Sequence, residues 1–206
     1  ADYNPSLSRR RNRKGRVIAL LHERNLIQLE HWAREKPTIV SNLVSLLLEQ
    51  DDLLRWRAIE ALGYIASDLA KRDLEKVMDM IRRQFWAMND ESGNIAWHAP
   101  EAIAEILYNV PQLAEEYLPM LASMANSYPF QPGVHWALYR LKAVVPQLVE
   151  TEISKVIASL GSKNANVRGF AAATVKSFND QHPGLKDLSQ DQTQVIDYDF
   201  RTGEII

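Results

Sequence analysis

The sequence predicts an all-α protein of four to five successive helix pairs wound as a right-handed α-α superhelix, with a short C-terminal β-hairpin or extended tail. Three observations predict it. Trp56, Trp97 and Trp136 recur 41 and 39 residues apart, a spacing that suits one helix pair per repeat. A second apolar stretch follows each in one shared register: Leu69, Leu74 and Val77, then Leu113, Leu118 and Leu121, then Leu148, Ile153 and Val156. The composition also favours helix, since Leu, Ala, Glu and Arg are abundant, Gly numbers only 8 in 206 residues, and β-branched runs are short.

Taken in order, residues 1–16 read as a basic, flexible arm. Arg9, Arg10, Arg11, Arg13, Lys14 and Arg16 face Asp2 alone, a local balance of +5 that leaves −7 for the rest of a chain whose net charge is −2. Such an arm either contacts an anionic partner, with nucleic acid reached through Arg9, Arg10, Arg11 and Arg13, or stays a solvated leader.

Residues 17–180 read as the repeat domain. Helices are expected over 17–34 and 38–49, separated at Lys36-Pro37, with Pro37 suited to a first helical position. Three first helices follow at 53–66, 94–107 and 133–145, each paired with a second, and a further first helix is expected at 165–178. Asp90 to Asn94 supply a turn and an N-cap for the helix at 94, so that Pro100 either kinks that helix, the preferred reading, or marks its true start. Pro119 is expected to open its helix. In residues 181–206, the polar stretch 189–194 reads as a linker. Beyond it, Ile196, Tyr198 and Phe200 alternate with Asp197, Asp199 and Arg201 at strand period, with a turn at Thr202-Gly203. An isolated hairpin is marginal in water, so the tail is expected to dock, to pair with another chain, or to remain flexible.

Leu54 to Gly63, Leu-Arg-Trp-Arg-Ala-Ile-Glu-Ala-Leu-Gly, and Val167 to Val175, Val-Arg-Gly-Phe-Ala-Ala-Ala-Thr-Val, resemble the HEAT or armadillo-like repeat, in which an Arg after an aliphatic residue precedes an Ala-rich helix. The block around Trp97 and Trp136 also resembles bacterial HEAT-like proteins of unassigned activity. The resemblance implies a scaffold that offers a concave surface to a protein partner. It implies that Arg55, Arg57 and Arg168 tie neighbouring helices. Deoxyhypusine hydroxylase, a relative of this kind, holds two irons through His-Glu pairs on successive repeats, whereas this chain has only His22-Glu23. The related DNA glycosylases use a basic concave face, and this chain's body is acidic.

The candidate site is a stripe of i, i+4 pairs that share helix faces: Trp56 with Glu60, Trp97 with Glu101, and Trp136 with Arg140. Stacked repeats bring these six residues into a row. That row is either an aromatic floor rimmed by charge, fit for a cationic or planar ligand, or packing between helices with an ion pair between Glu101 and Arg140. Asp90, Glu91 and His98, with Glu101 and Glu105, form an additional cluster, read either as a hard-cation site or as charge suited to a helix start. His135, next to Trp136, is read as a surface or hydrogen-bonded side chain rather than a ligand.

The chain has no cysteine, which excludes disulfides, thiolate metal sites and cysteine nucleophiles. It carries no phosphate loop, dinucleotide fingerprint, nucleophile elbow or HExxH motif, and no apolar run near the roughly 20 residues that cross a bilayer. The expectation is therefore a cytoplasmic, non-enzymatic interaction scaffold without catalytic residues, cofactor or metal. A small-molecule site at the stripe and nucleic-acid binding through the basic arm are the rival readings.

Overall fold

The computed structural model describes residues 5–90 and 96–206, and these hold eleven α-helices and one two-stranded sheet. The first helix, α1 (Pro5–His22), already includes most of the basic segment, so the helix expected from residue 17 is a continuation of one that starts at Pro5. Its basic side chains are partly engaged. The Arg16 guanidinium lies over the Trp32 ring at 4.6 Å, Lys14 pairs with Glu49 at 3.3 Å, and Arg13 donates to Thr38 Oγ1 at 3.2 Å. Arg9, Arg10 and Arg11 are exposed.

The single helix expected over 17–34 is in fact two. After α1 the chain turns at Arg24, whose φ of 52° is left-handed, and α2 (Leu26–Glu35) starts under an N-cap from Asn25, which accepts from the Gln28 amide. A left-handed non-glycine residue costs on the order of 1–3 kcal/mol and persists where its surroundings hold it. Pro37 takes the N-cap position of α3 (Thr38–Ser45), one place earlier than expected, and α3 tightens into a 3-10 turn at Leu46–Leu48.

The centre of the molecule is a row of helices packed side by side: α4 (Asp52–Arg72), α6 (Ala99–Asn109), α8 (Gln131–Leu141) and α11 (Ala165–Phe178), each lying on the next. Alanines at the contacts, Ala58, Ala61, Ala102, Ala104, Ala137 and Ala171, let the backbones approach, while Ile59, Leu62, Ile103, Leu107 and Leu138 fill the space between them. The companions pack beside the row. α5 (Leu74–Met88) lies on α4 and α6, and α7 (Ala114–Ala122) touches α8 and α9 (Pro146–Thr151), which is followed by α10 (Ile153–Ile157).

Two members of the row start alike. Asp51 caps α4 by accepting from Leu54, and Asn164 caps α11 by accepting from Val167. Four positions after each cap, Arg55 and Arg168 reach back to the carbonyl six residues earlier, Glu49 O at 2.9 Å and Ser162 O at 2.7 Å.

Two prolines depart from expectation. α6 begins at Ala99 with Pro100 in its first turn, where an N–H would have had no helical partner anyway, so no kink arises there. Residues 91–95, where that helix was expected to begin, lie outside the described residues. Pro119 sits inside α7 rather than opening it.

After α11 the polar stretch 189–194 is exposed and forms neither helix nor strand. The tail then folds as a hairpin of β1 (Tyr198–Asp199) and β2 (Glu204–Ile205), antiparallel, with Tyr198 opposite Ile205 and Asp199 opposite Glu204. Gly203 closes the turn at φ 75°, its amide donating to Asp199 O at 2.7 Å. Of the fates open to the tail, docking is the one observed: Ile196 donates its amide to Asn166 on α11, and β2 contacts α4. No described helix is long and apolar enough to cross a membrane.

Candidate functional site

Trp56 on α4 and Trp136 on α8 lie with ring centroids 4.7 Å apart, although α6 stands between the two helices in the row. The hairpin covers this pair. Tyr198 stacks on Trp56 at 5.7 Å with planes 4° apart, Phe200 meets Tyr198 edge-on at 4.8 Å, and Phe200 lies 6.2 Å from Trp136. The Trp136 indole donates to Asp197 Oδ1 at 2.8 Å, which satisfies the one polar group that burial would otherwise strand.

Trp97 does not join this row. With α6 starting at Ala99, it sits in the preceding turn, 47% exposed, against the ring of Tyr128 at 6.0 Å. The expected i, i+4 relation to Glu101 on one helix therefore fails.

Charge surrounds the rings in two clamps. Glu60, one turn after Trp56 on α4, accepts from Arg24 Nη2 at 2.6 Å and Nε at 3.0 Å, and from the Tyr198 hydroxyl at 2.6 Å. Arg24 also reaches the carbonyls of Phe200 and Arg201. Beside it, Arg57 donates to Leu21 O and His22 O at the end of α1, to Gly203 O at 3.1 Å, and to Glu204 at 3.0 Å. Burial, then the bond to the Glu60 carboxylate, pushes the Tyr198 phenol far above its ordinary value.

The second clamp centres on Arg140, which binds Glu105 at 3.0 and 3.1 Å. Its guanidinium lies between the rings of Tyr108 and Phe200, at 3.6 and 3.7 Å. The ion pair expected between Glu101 and Arg140 thus forms one helical turn further along α6. Burial pushes the Glu105 carboxyl up while Arg140 pulls it down.

Glu101 is buried and has a different environment. Its Oε2 lies 3.2 Å from His98 Nδ1, and the carboxylate borders a cavity of about 160 Å³ lined by Trp56, Trp136, His98, Phe170 and Ile196 among others. Of the six stripe residues, then, Trp56, Trp136 and Glu101 share one cavity, and Glu60 and Arg140 grip the hairpin.

The additional candidates disperse. His135 is fully buried, its Nε2 donating to Ala125 O at 3.2 Å, and burial pulls it down to about 4. Asp90 lies past the end of α5, and Glu91 is outside the described residues. Glu105 belongs to the Arg140 clamp. Among the described residues no group of three or more His, Cys, Asp or Glu is placed to hold a metal ion.

Arg24, Asp197, Tyr198 and Phe200 were not among the sequence candidates. The strand-period alternation of Ile196, Tyr198 and Phe200 was visible, but nothing in it specifies which surface the alternate side chains cover.

No family model matches the sequence. An uncharacterized protein of Archaeoglobus fulgidus is 35% identical over 88 residues, which is 43% of this chain and 45% of that protein. The matched stretch thus spans under half the length of a relative that is archaeal and whose name states no activity.

Proposed function

We propose that this protein is a non-enzymatic interaction scaffold, a HEAT-like right-handed α-α superhelix that holds extended peptide segments across its row of first helices. The repeat reading is supported by the matching caps and arginines of α4 and α11. It is also supported by the closer packing of α4, α6, α8 and α11 on one another than of their companions, since curvature crowds the helices on the inside of a stack and spreads those outside.

One observation carries the peptide reading. The hairpin is held through its main chain as well as through its side chains: Arg24 takes the carbonyls of Phe200 and Arg201, and Arg57 takes that of Gly203. Main-chain bonds supply affinity for an extended segment of varied sequence, and pockets for alternate side chains supply selectivity. Here Trp56, Trp136 and Glu60 select an aromatic residue with a hydroxyl. The tail is the resident occupant, and a partner's segment of similar make, aromatic and acidic in alternation, competes for the same face. A resident on a short tether acts at an effective concentration of order millimolar, so such a partner binds weakly until the tail is displaced.

The test cuts the tether after folding. A protease site placed at Ser189-Gln190 is cleaved in the native protein, and exchange of the nicked tail for a labelled peptide of residues 195–206 is followed by fluorescence anisotropy. Saturable exchange, slowed or abolished by excess unlabelled peptide, is expected. A nicked protein that loses its tail yet binds no such peptide, while keeping its helical circular dichroism, sinks the reading.

A further inference from the structure

We infer that the cavity beside Trp56, Trp136 and Glu101 is a binding site for a small alkylammonium group. Four glutamates are buried among the described residues: Glu60, Glu101, Glu105 and Glu152. Three of them pair with a permanent or lysine cation, namely Arg24, Arg140 and Lys155. Among the described residues Glu101 has no such partner, and His98 Nδ1, at 3.2 Å, is the side chain bonded to it. A buried carboxylate without a matching cation is costly, and Glu101 is among the residues that line the cavity.

The rest of the lining suits a cation. The indoles of Trp56 and Trp136 and the ring of Phe170 border the cavity, and aromatic rings attract ammonium groups through their quadrupoles, most strongly for Trp and most of all where water is excluded. Arg55, the one arginine in the lining, is already bound by Asp52 and by the Glu49 carbonyl, so its charge is offset, and Glu101 is answered by the N-terminal turn of α6, worth about half a charge. The volume, about 160 Å³, is close to that of an engineered cavity of roughly 150 Å³ that admits benzene. That size accepts a tetramethylammonium ion or the end of a methylated amine.

The backbone makes room for the carboxylate. At Gly133 on α8, a Cβ would fall 2.3 Å from Glu101 Oε1 and 3.1 Å from Pro100 Cβ. Glycine there is what lets the carboxylate rest against α8 at the edge of the cavity. The site shares Trp56 and Trp136 with the peptide reading and takes Ile196 of the seated tail into its lining, whereas Glu60, Arg24 and Arg57, which grip the hairpin, do not line it. It is therefore tested in the full chain with the tail in place.

The experiment titrates the full chain with tetramethylammonium chloride and with tert-butanol, neutral and of similar bulk. The indole N–H resonances of all five tryptophans are followed against a sodium chloride blank. Saturable shifts at Trp56 and Trp136, with none at exposed Trp86, are expected for the cation alone. Glu101→Gln should weaken binding at least tenfold, and Gly133→Ala, which keeps the charge but displaces it, should weaken it as well. Should either variant misfold, the comparison of cation with neutral molecule in the unaltered chain still decides the matter. Equal responses to the two, or unchanged affinity in a folded Glu101→Gln protein, overturn the assignment. An acetylated, trimethylated lysine amide in a parallel titration distinguishes sources: tighter binding than tetramethylammonium identifies a side chain, and weaker binding identifies a free amine.

Discussion

Tyr198 donates its phenolic proton to Glu60 across 2.6 Å, joining residues 138 positions apart. The bond is buried, and its acceptor also holds Arg24. Removing the donor in Tyr198→Phe forfeits a hydrogen bond to a charged group, about 1.5–3 kcal/mol. Hydrogen exchange of the hairpin amides should therefore quicken by roughly 10- to 100-fold, since about 1.4 kcal/mol is a factor of ten. Helix amides far from the hairpin should change little.

The same phenol gives the hairpin an alkaline limit. Its folded value lies above the ordinary value of 10.0, so the folded chain holds the proton more tightly than the unfolded one. The associated stability is complete below about pH 10 and is lost as pH rises beyond it. Unfolding by urea from pH 9 to 11 should show this loss, and Tyr198→Phe should remove it.

Gly203 is the one described glycine with positive φ, 75°, and a Cβ there would lie 2.4 Å from Arg24 Cδ. Gly203→Ala meets both a strained backbone and an occupied space. The expected cost is about 1–3 kcal/mol, read as faster proteolysis of the tail and a red shift of tryptophan emission as water reaches Trp56 and Trp136.

Arg140 neutralises Glu105, which is 3% exposed. Arg140→Met leaves that carboxylate buried and unpaired, at about 3–5 kcal/mol, whereas replacing both partners by apolar side chains of like volume is often neutral. Arg140→Met combined with Glu105→Leu should thus be more stable than Arg140→Met alone. Urea midpoints of the four proteins in the cycle measure it.

His135 limits stability on the acid side. Its folded value of about 4 lies below the ordinary 6.5, so the unfolded chain takes up the proton first. Its contribution is complete above about pH 6.5 and falls away toward pH 4, by roughly 3 kcal/mol at 1.36 kcal/mol per unit. Thermal unfolding between pH 7 and 4 should drop less steeply in His135→Phe than in the unaltered chain.

What could be read from the residues follows the range of the interactions. The starts of α4 and α11 were legible because an Arg after an aliphatic residue, ahead of an Ala-rich run, is a local signal, although the caps at Asp51 and Asn164 were not read. The break at Arg24 was not, since neither Gly nor Pro marks it and the left-handed turn is held by Glu60, 36 residues away. Trp97 was assigned to a helix because Pro100 fits equally an interior kink or a first turn, and spacing alone does not separate them. Of the stripe, Trp56 and Trp136 were found from their period, but the partner of Arg140 was misjudged by one turn, as Glu101 and Glu105 share a helix face. The hairpin was legible as a hairpin; its landing site depends on partners distant in the chain, Trp56 and Glu60 for Tyr198 and Trp136 for Asp197, and on bonds to main-chain carbonyls, which leave no trace in residue identity.

The course of the tail has a consequence for how the molecule melts. Helices that touch only their neighbours come apart from the ends inward, one unit at a time. Here a single strap starts against Asn166 on α11, passes Trp136 on α8 and Trp56 on α4, and finishes in the grip of Arg24 between α1 and α2. Fraying at either extremity must first loosen the strap, and a loosened strap frees both extremities together. The first and last helices are thus bound to a common fate, and heat should dismantle them in one step rather than in sequence.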